Sequence, residues 1–86
     1  MPSPYEIKIT DYALKELNSL DKKTYLKIKQ AMQKLSENPR PKGCKKLINR
    51  DAWRIRVGDF RVIYEIHDYK LLIIIIRVAN RKIVYR

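Results

Sequence analysis

The sequence predicts an α+β fold in which two amino-terminal helices pack on a small, mainly antiparallel four-stranded sheet. A strand-like segment comes first, two segments with helical spacing follow, and three β-like runs joined by short turns occupy the second half. Segregation of helices from strands along the chain is typical of this fold class. Because 86 residues can build only one hydrophobic core, we expect residues 1–86 to form a single domain.

The first strand is predicted at YEIKIT, where apolar and charged residues alternate from Tyr5 to Ile9. Thr10 or Asp11 can cap the short helix that follows, which we expect to end near Asn18 or Ser19. Its apolar positions recur every three residues, at Leu14, Leu17 and Leu20, with Ala13 beside them.

A second helix begins after the predicted cap Asp21, and its apolar residues recur at spacings of three and four. These residues are Tyr25, Ile28, Met32 and Leu35. The helix must end at ENPRPKG, because Pro39 disfavours helical geometry at the preceding residue and Pro41 prevents its resumption. A basic loop reaching to about Asp51 follows.

Three strands are predicted at AWRIRV, FRVIYEIH and LLIIIIRV, separated by Gly58-Asp59 and by a turn near Asp68-Tyr69. Such short connections imply an antiparallel meander. The last strand is apolar at every position from Leu71 to Ile76, so we expect it to be central and covered on both faces. This run is too short to cross a bilayer.

The composition is strongly basic, with 20 Lys and Arg against nine Asp and Glu and a formal net charge of +11. Nucleic acid is the partner that fits best, because neutralised phosphates release counterions. An acidic protein fits next and a membrane surface last, and a merely solvated basic surface is the remaining alternative. Eight basic and two acidic residues lie between Pro39 and Val62, which indicates a site.

A single cysteine, Cys44, excludes an internal disulfide and a zinc-ligand spacing, and it favours a reducing compartment. The amino-terminal sequence lacks the basic and then apolar pattern of a signal peptide. We therefore expect a cytoplasmic protein. Cys44 is interpreted as incidental, because no histidine is near it in the sequence.

Three arginines are expected on one face of the hairpin. If Gly58 and Asp59 form the turn, Arg56 lies opposite Arg61, and Arg54 projects to the same side. Like charges opposed across a ladder are destabilising, whereas guanidinium groups suit phosphate. The pattern favours a phosphate-binding surface over a solvated face in which Glu65 is a partial counterion. The other face of the hairpin is expected to enter the core, with Trp53, Ile55, Val57, Phe60, Val62 and Tyr64.

WRIRVGDFRVIYEI, followed by an apolar strand and RKIVYR, resembles the RelE/ParE superfamily of bacterial and archaeal toxins, particularly the RelE-like messenger-RNA interferases. The resemblance covers essentially the whole chain. It implies entry into the ribosomal A site and cleavage of messenger RNA there by the RNA's own 2′-hydroxyl. It implies no cofactor, no metal and no small-molecule ligand, and it implies two kinds of partner: a cognate antitoxin, and the ribosome with its messenger RNA.

The resemblance also implies roles for individual residues. Arg61 would stabilise the phosphorane, with Arg54 and Arg56 matching the paired basic residues of the family's strand motif. Arg81 would act at the leaving group, and Tyr85 as a base or by orienting and stacking the nucleotide. The RNA-binding residues would be Lys45, Lys46, Arg50 and Lys82, together with Arg54.

The sequence departs from the best-known members at three positions. They carry lysines at Arg54 and Arg56, and because arginine is a poor proton acceptor, Arg56 is interpreted as electrostatic. Asn80 stands where several relatives have a histidine, which leaves any base role to Tyr85 or to the ribosome.

Two other polar residues each have two interpretations. Glu65 is either a salt-bridging residue or a general base, and His67 is either a surface residue or a catalyst.

Two other functions remain open. A ParE-like inhibitor of DNA gyrase would share the fold and the strand motif, although Arg81 and Tyr85 favour the nuclease. A basic RNA-binding module without catalysis is the third alternative.

Overall fold

The computed structural model describes residues 4–81, which form a mixed sheet and two helices. In chain order the elements are β1 (Glu6–Ile9), α1 (Asp11–Asn18), α2 (Lys22–Glu37), β2 (Lys45–Lys46), β3 (Trp53–Val57), β4 (Phe60–His67) and β5 (Leu72–Asn80). Within these residues the strand order is β1-β5-β4-β3-β2, and of the described pairs only β1 with β5 is parallel. The predicted fold class is confirmed, and β2, a two-residue strand within the predicted basic loop, is the fifth strand.

Both helices begin at side-chain caps. Thr10, not Asp11, caps α1 by accepting a hydrogen bond from the Ala13 amide, and Asp21 accepts one from the Thr24 amide at α2, as predicted. Of the apolar positions that recur every three residues in this segment, Leu17 is buried but Leu14 is 42% exposed, and α1 buries Ala13 in its place. A spacing of three alone does not keep a side chain on one face of a helix that turns every 3.6 residues.

The core lies between the helices and one face of the sheet. Its helical members are Ala13, Leu17, Ile28, Met32 and Leu35, and its strand members are Ile55, Val62, Tyr64, Ile73, Ile75 and Val78. As predicted, β5 lies inside the sheet, between β1 and β4. It is not covered on both faces: Ile73 and Ile75 are buried, whereas Ile74 between them is only half-buried. The sheet therefore keeps one open face. Among the helices formed by residues 4–81, none is long and apolar enough to cross a membrane.

Candidate nucleic-acid interface

The β3–β4 hairpin has the predicted register. Gly58, with a φ of 58°, begins the two-residue turn, and Val57 pairs with Phe60. Arg56 is consequently opposite Arg61, and Arg54 is opposite Ile63. Because side chains alternate between the faces of a strand and Ile55 and Val62 are buried, the three arginines lie on the open face.

A fourth arginine joins them at the end of β5. The Arg81 amide donates a hydrogen bond to the carbonyl oxygen of Asp59 in the hairpin turn, at 2.7 Å. Neighbouring positive charges lower the pKa of Arg56 below its usual value, Arg54 most strongly and then Arg81, with smaller effects of burial and of Arg61. We call Arg54, Arg56, Arg61 and Arg81 the arginine cluster.

Arg61 carries a donor that solvent does not reach. Its Nε is inaccessible to solvent and, among residues 4–81, has no hydrogen-bond partner. A buried donor without an acceptor is costly, and such groups are rare in native structures. Because solvent does not reach this Nε, a phosphate oxygen could bind it only if the Arg61 side chain shifts, whereas a phosphate bound anywhere at the cluster would relieve the repulsion among its positive charges.

The remaining predicted RNA-binding residues lie in different places. Lys45 pairs with Arg54 and therefore shares the open face, whereas Lys46 pairs with Trp53 on the other face and lies 3.5 Å from a carboxylate oxygen of Asp51. The exposed Arg50 lies 3.9 Å from Glu65. Lys82 and Tyr85 are outside the described residues.

Glu65 is engaged by neighbours on the open face. Its Oε1 is 3.0 Å from Nε2 of His67, and its Oε2 faces Arg50. Glu65 is the fourth residue after Arg61 in β4, so the two lie about 13 Å apart along the strand. This geometry favours the salt-bridging interpretation of Glu65. A base acting at a phosphate held by Arg61 would need to be much closer.

Tyr64 and Trp53 belong to the core side, as predicted. Tyr64 is fully buried and donates a 2.7 Å hydrogen bond to the carbonyl of Pro39, and this burial raises its pKa. Trp53 packs on the core with the guanidinium of Arg40 over its ring, at 5.2 Å. Neither ring is available as a stacking platform for a base. Cys44 is half-buried and also packs on the core.

Arg77 lies in β5, four residues before Arg81, but is not part of the arginine cluster. Its guanidinium binds the carboxylate of Glu16 in α1 through two nitrogens, at 3.0–3.2 Å. Sequence reasoning missed this pair. The signal was present, because alternation from Ile73 and Ile75 would place Arg77 in the core, an improbable position for a charge.

No group of three or more His, Cys, Asp or Glu side chains suited to a metal ion occurs within residues 4–81.

The chain is similar to known toxins over nearly its whole length. The model of the family described as the ParE toxin of the type II toxin–antitoxin system, parDE, matches residues 7–85. An Escherichia coli protein named as a RelE-like toxin is 30% identical over 80 residues, which are 91% of this chain and 84% of that protein.

Solved structures of toxin–antitoxin complexes are also similar to the chain. The archaeal RelE–RelB complex of Pyrococcus horikoshii contains a chain with a TM-score of 0.83 and 30% identity, covering 94% of this chain and 99% of the other. The RelBE2 toxin–antitoxin complex of Mycobacterium tuberculosis contains one with a TM-score of 0.81 and 26% identity, covering 91% and 99%.

Proposed function

The chain belongs to the RelE/ParE superfamily of toxins of type II toxin–antitoxin systems, and from that premise we propose that it is a ribosome-dependent endoribonuclease. It acts in the cytoplasm, as a single toxin domain over residues 1–86, on messenger RNA in the ribosomal A site. A cognate antitoxin neutralises it, as RelB accompanies RelE in the similar archaeal complex.

The reaction is a transesterification within the RNA. The 2′-hydroxyl oxygen forms a bond to the adjacent phosphorus as the bond from phosphorus to the 5′-oxygen breaks. The proton of the 2′-hydroxyl passes to a base, which is Tyr85 or a group of the ribosome, and the 5′-oxygen receives a proton from solvent. The products are a 2′,3′-cyclic phosphate and a 5′-hydroxyl, and no metal or cofactor takes part.

The observation that carries this proposal is the convergence of like charges at the hairpin, where Arg56 lies opposite Arg61 and Arg81 is held at the adjoining turn. Negative charge develops on the phosphorane oxygens, and preorganised donors aimed at such charge are a major source of catalysis. Arg61 would bind these oxygens, with Arg54 and Arg56 as electrostatic support. Arg81, held at the hairpin turn by Asp59, would stabilise the leaving oxygen.

Primer extension on messenger RNA from translating ribosomes tests the proposal. The wild type should create new 3′ ends, and Arg61→Ala should lower the cleavage rate by about 10² to 10³, the usual effect of deleting one such donor. Arg40→Ala removes the same charge from a residue that pairs with Asp68, outside the cluster, and should cut normally. Absence of cleavage by the wild type, or equal cleavage by Arg61→Ala, would refute the assignment.

A second candidate is a ParE-like inhibitor of DNA gyrase. It is favoured by one observation, that the matching family model is described as ParE. Inhibition of supercoiling by purified gyrase, with intact messenger RNA on the ribosome, would establish this function in place of the first.

A further inference from the structure

Strand β5 contains a β-bulge. Tyr64 pairs with Ile75, but the preceding residue of β4, Ile63, pairs with Arg77, so Ile76 is the extra residue. In an uninterrupted strand the alternation would place Arg77 on the helix-facing side and Val78 on the open face. Because of the extra residue, Val78 is buried in the core. The bulge therefore determines the register of everything that follows it.

Helix α1 replaces a strand along this part of β5. The pairing with β1 ends at Ile75, opposite Ile9. Beyond it, the hydroxyl of Thr10 donates to the carbonyl of Ile76 at 3.4 Å, and the amide of Val78 donates to Oε1 of Glu16 at 2.8 Å. Backbone groups on that edge of the strand thus find partners in α1 and at its cap.

Glu16 holds both residues that follow the bulge. Its carboxylate accepts hydrogen bonds from the Val78 amide and from the guanidinium of Arg77. Both charged side chains are largely buried: that of Glu16 is 19% exposed and that of Arg77 is 30% exposed. The same guanidinium lies 4.9 Å from the ring centre of Tyr12, which also belongs to α1. Charge-assisted hydrogen bonds of this kind are about twice as strong as neutral ones.

We propose that Glu16 is a positioning residue whose Oε1, by accepting from the Val78 amide, fixes the bulge at Ile76 and thereby holds Arg81 beside Arg61. After the bulge, Ala79 lies opposite Arg61, and the Arg81 amide reaches Asp59 in the turn. A slip of one residue would displace Arg81 by about 3.3 Å along the strand and turn its side chain to the other face. The catalytic part of this inference rests on the proposed ribonuclease function.

Two substitutions separate the contacts of Glu16. Glu16→Gln keeps an oxygen that accepts from the Val78 amide but removes the negative charge, whereas Glu16→Ala removes both contacts. Glu37→Ala, which deletes an exposed glutamate at the end of α2, is the matched control. If Glu16→Ala does not fold, Glu16→Asp replaces it, because its shorter side chain cannot keep both contacts.

The first measurement is structural and needs no activity. In nuclear magnetic resonance spectra, wild type, Glu16→Gln and Glu37→Ala should show contacts between the paired residues Val62 and Val78 and slow exchange of the Val78 amide. Glu16→Ala should lose both signals, while contacts between Tyr64 and Ile75, before the bulge, remain.

The second measurement is the cleavage rate on ribosomes. Misplacement of a catalytic group by an ångström or more can cost about 10²-fold, so kcat should fall by about that factor in Glu16→Ala with KM nearly unchanged. Glu16→Gln should retain most of the wild-type kcat. An unaltered Val62–Val78 contact in Glu16→Ala, or a normal kcat despite its loss, would overturn the proposal. Lack of cleavage by the wild type would instead refute the proposed function and leave the structural measurement valid.

Discussion

Arg56 lies directly opposite Arg61 across the β3–β4 ladder, next to a turn of only two residues. Opposed like charges weaken a sheet, so this arrangement costs stability in the free protein. The lowered pKa of Arg56 has the same origin, since Arg54, Arg81 and Arg61 all disfavour a further positive charge. An anion bound at this face would offset the repulsion between the arginines and so restore the lost stability.

Replacing Arg56 by Gln should stabilise the free protein and weaken its action on RNA. Removal of the charge relieves repulsion within the arginine cluster, so the midpoint of urea unfolding should rise. The rise should be largest at about 10 mM salt, where the Debye length is about 30 Å, and should nearly vanish at about 1 M, where it is about 3 Å. A midpoint that falls equally at both salt concentrations would mean that Arg56 stabilises the fold.

Gly58→Ala should lower the free energy of unfolding by about 1 kcal/mol, because Gly58 has a φ of 58° and an added Cβ disfavours this left-handed conformation. Apart from Gly58 and its two chain neighbours, no heavy atom of residues 4–81 lies within 4 Å of that Cβ, so the cost is one of backbone conformation. Urea unfolding gives the value. Gly58→Asn is the matched variant and should lose less, since asparagine tolerates this region. Equal losses in both variants would mean that the turn requires the absence of any side chain at position 58, and that tolerance of the left-handed region does not decide the cost.

The sequence was sufficient to predict the hairpin because its register depends on local features. Two turn residues and the alternation on both sides place Arg56 against Arg61 without any knowledge of the rest of the fold. The caps Thr10 and Asp21 are equally local. In each case the interacting groups are close along the chain, so the pattern and the structure contain the same information.

Features that depend on distant contacts could not be predicted in this way. The bulge at Ile76 is stabilised by Glu16, about 60 residues earlier in the chain, and an apolar run that reads as a regular strand does not reveal it. Similarly, Lys45 and Lys46 are equivalent in a basic loop until pairing with β3 assigns them to opposite faces. Ile74 lies on the open face because both helices pack on the other face of the sheet, which the local pattern of the strand does not indicate.

Tyr64→Phe should lower the free energy of unfolding by about 1–3 kcal/mol, because the buried carbonyl of Pro39 loses the hydrogen bond from the Tyr64 hydroxyl. Tyr69→Phe is the matched control, since Tyr69 is fully exposed and should be replaced without effect. Urea unfolding near neutral pH measures both. A normal stability of Tyr64→Phe would mean that Pro39 finds another donor.

Tyr64 should also contribute to instability at alkaline pH. Its pKa is raised in the folded protein, mainly by burial, so the unfolded chain releases the proton first. Above the ordinary tyrosine pKa of about 10, the unfolded state then binds fewer protons than the folded state, and stability falls as pH rises. The decline between about pH 9 and 11 should be shallower in Tyr64→Phe than in the wild type. Identical slopes would contradict the raised pKa.

Lys45 and Lys46 provide a direct test of which face meets RNA. Both are exposed, adjacent and equal in charge, but Lys45 pairs with Arg54 on the open face and Lys46 pairs with Trp53. Lys45→Ala should therefore weaken binding of a short single-stranded RNA and reduce the slope of log Kd against log salt concentration by about 0.7, the value for one phosphate contact. Fluorescence anisotropy over about 50–200 mM salt is a suitable measurement.

Lys46→Ala is the control, because it makes the same change in net charge one residue away. A general electrostatic attraction would weaken equally in both variants, whereas a phosphate contact on the open face would be lost in Lys45→Ala alone. Equal effects would argue that RNA does not lie along β2 and β3, and a larger effect of Lys46→Ala would place it on the opposite face. The open face would then need another ligand to explain its unpaired arginines.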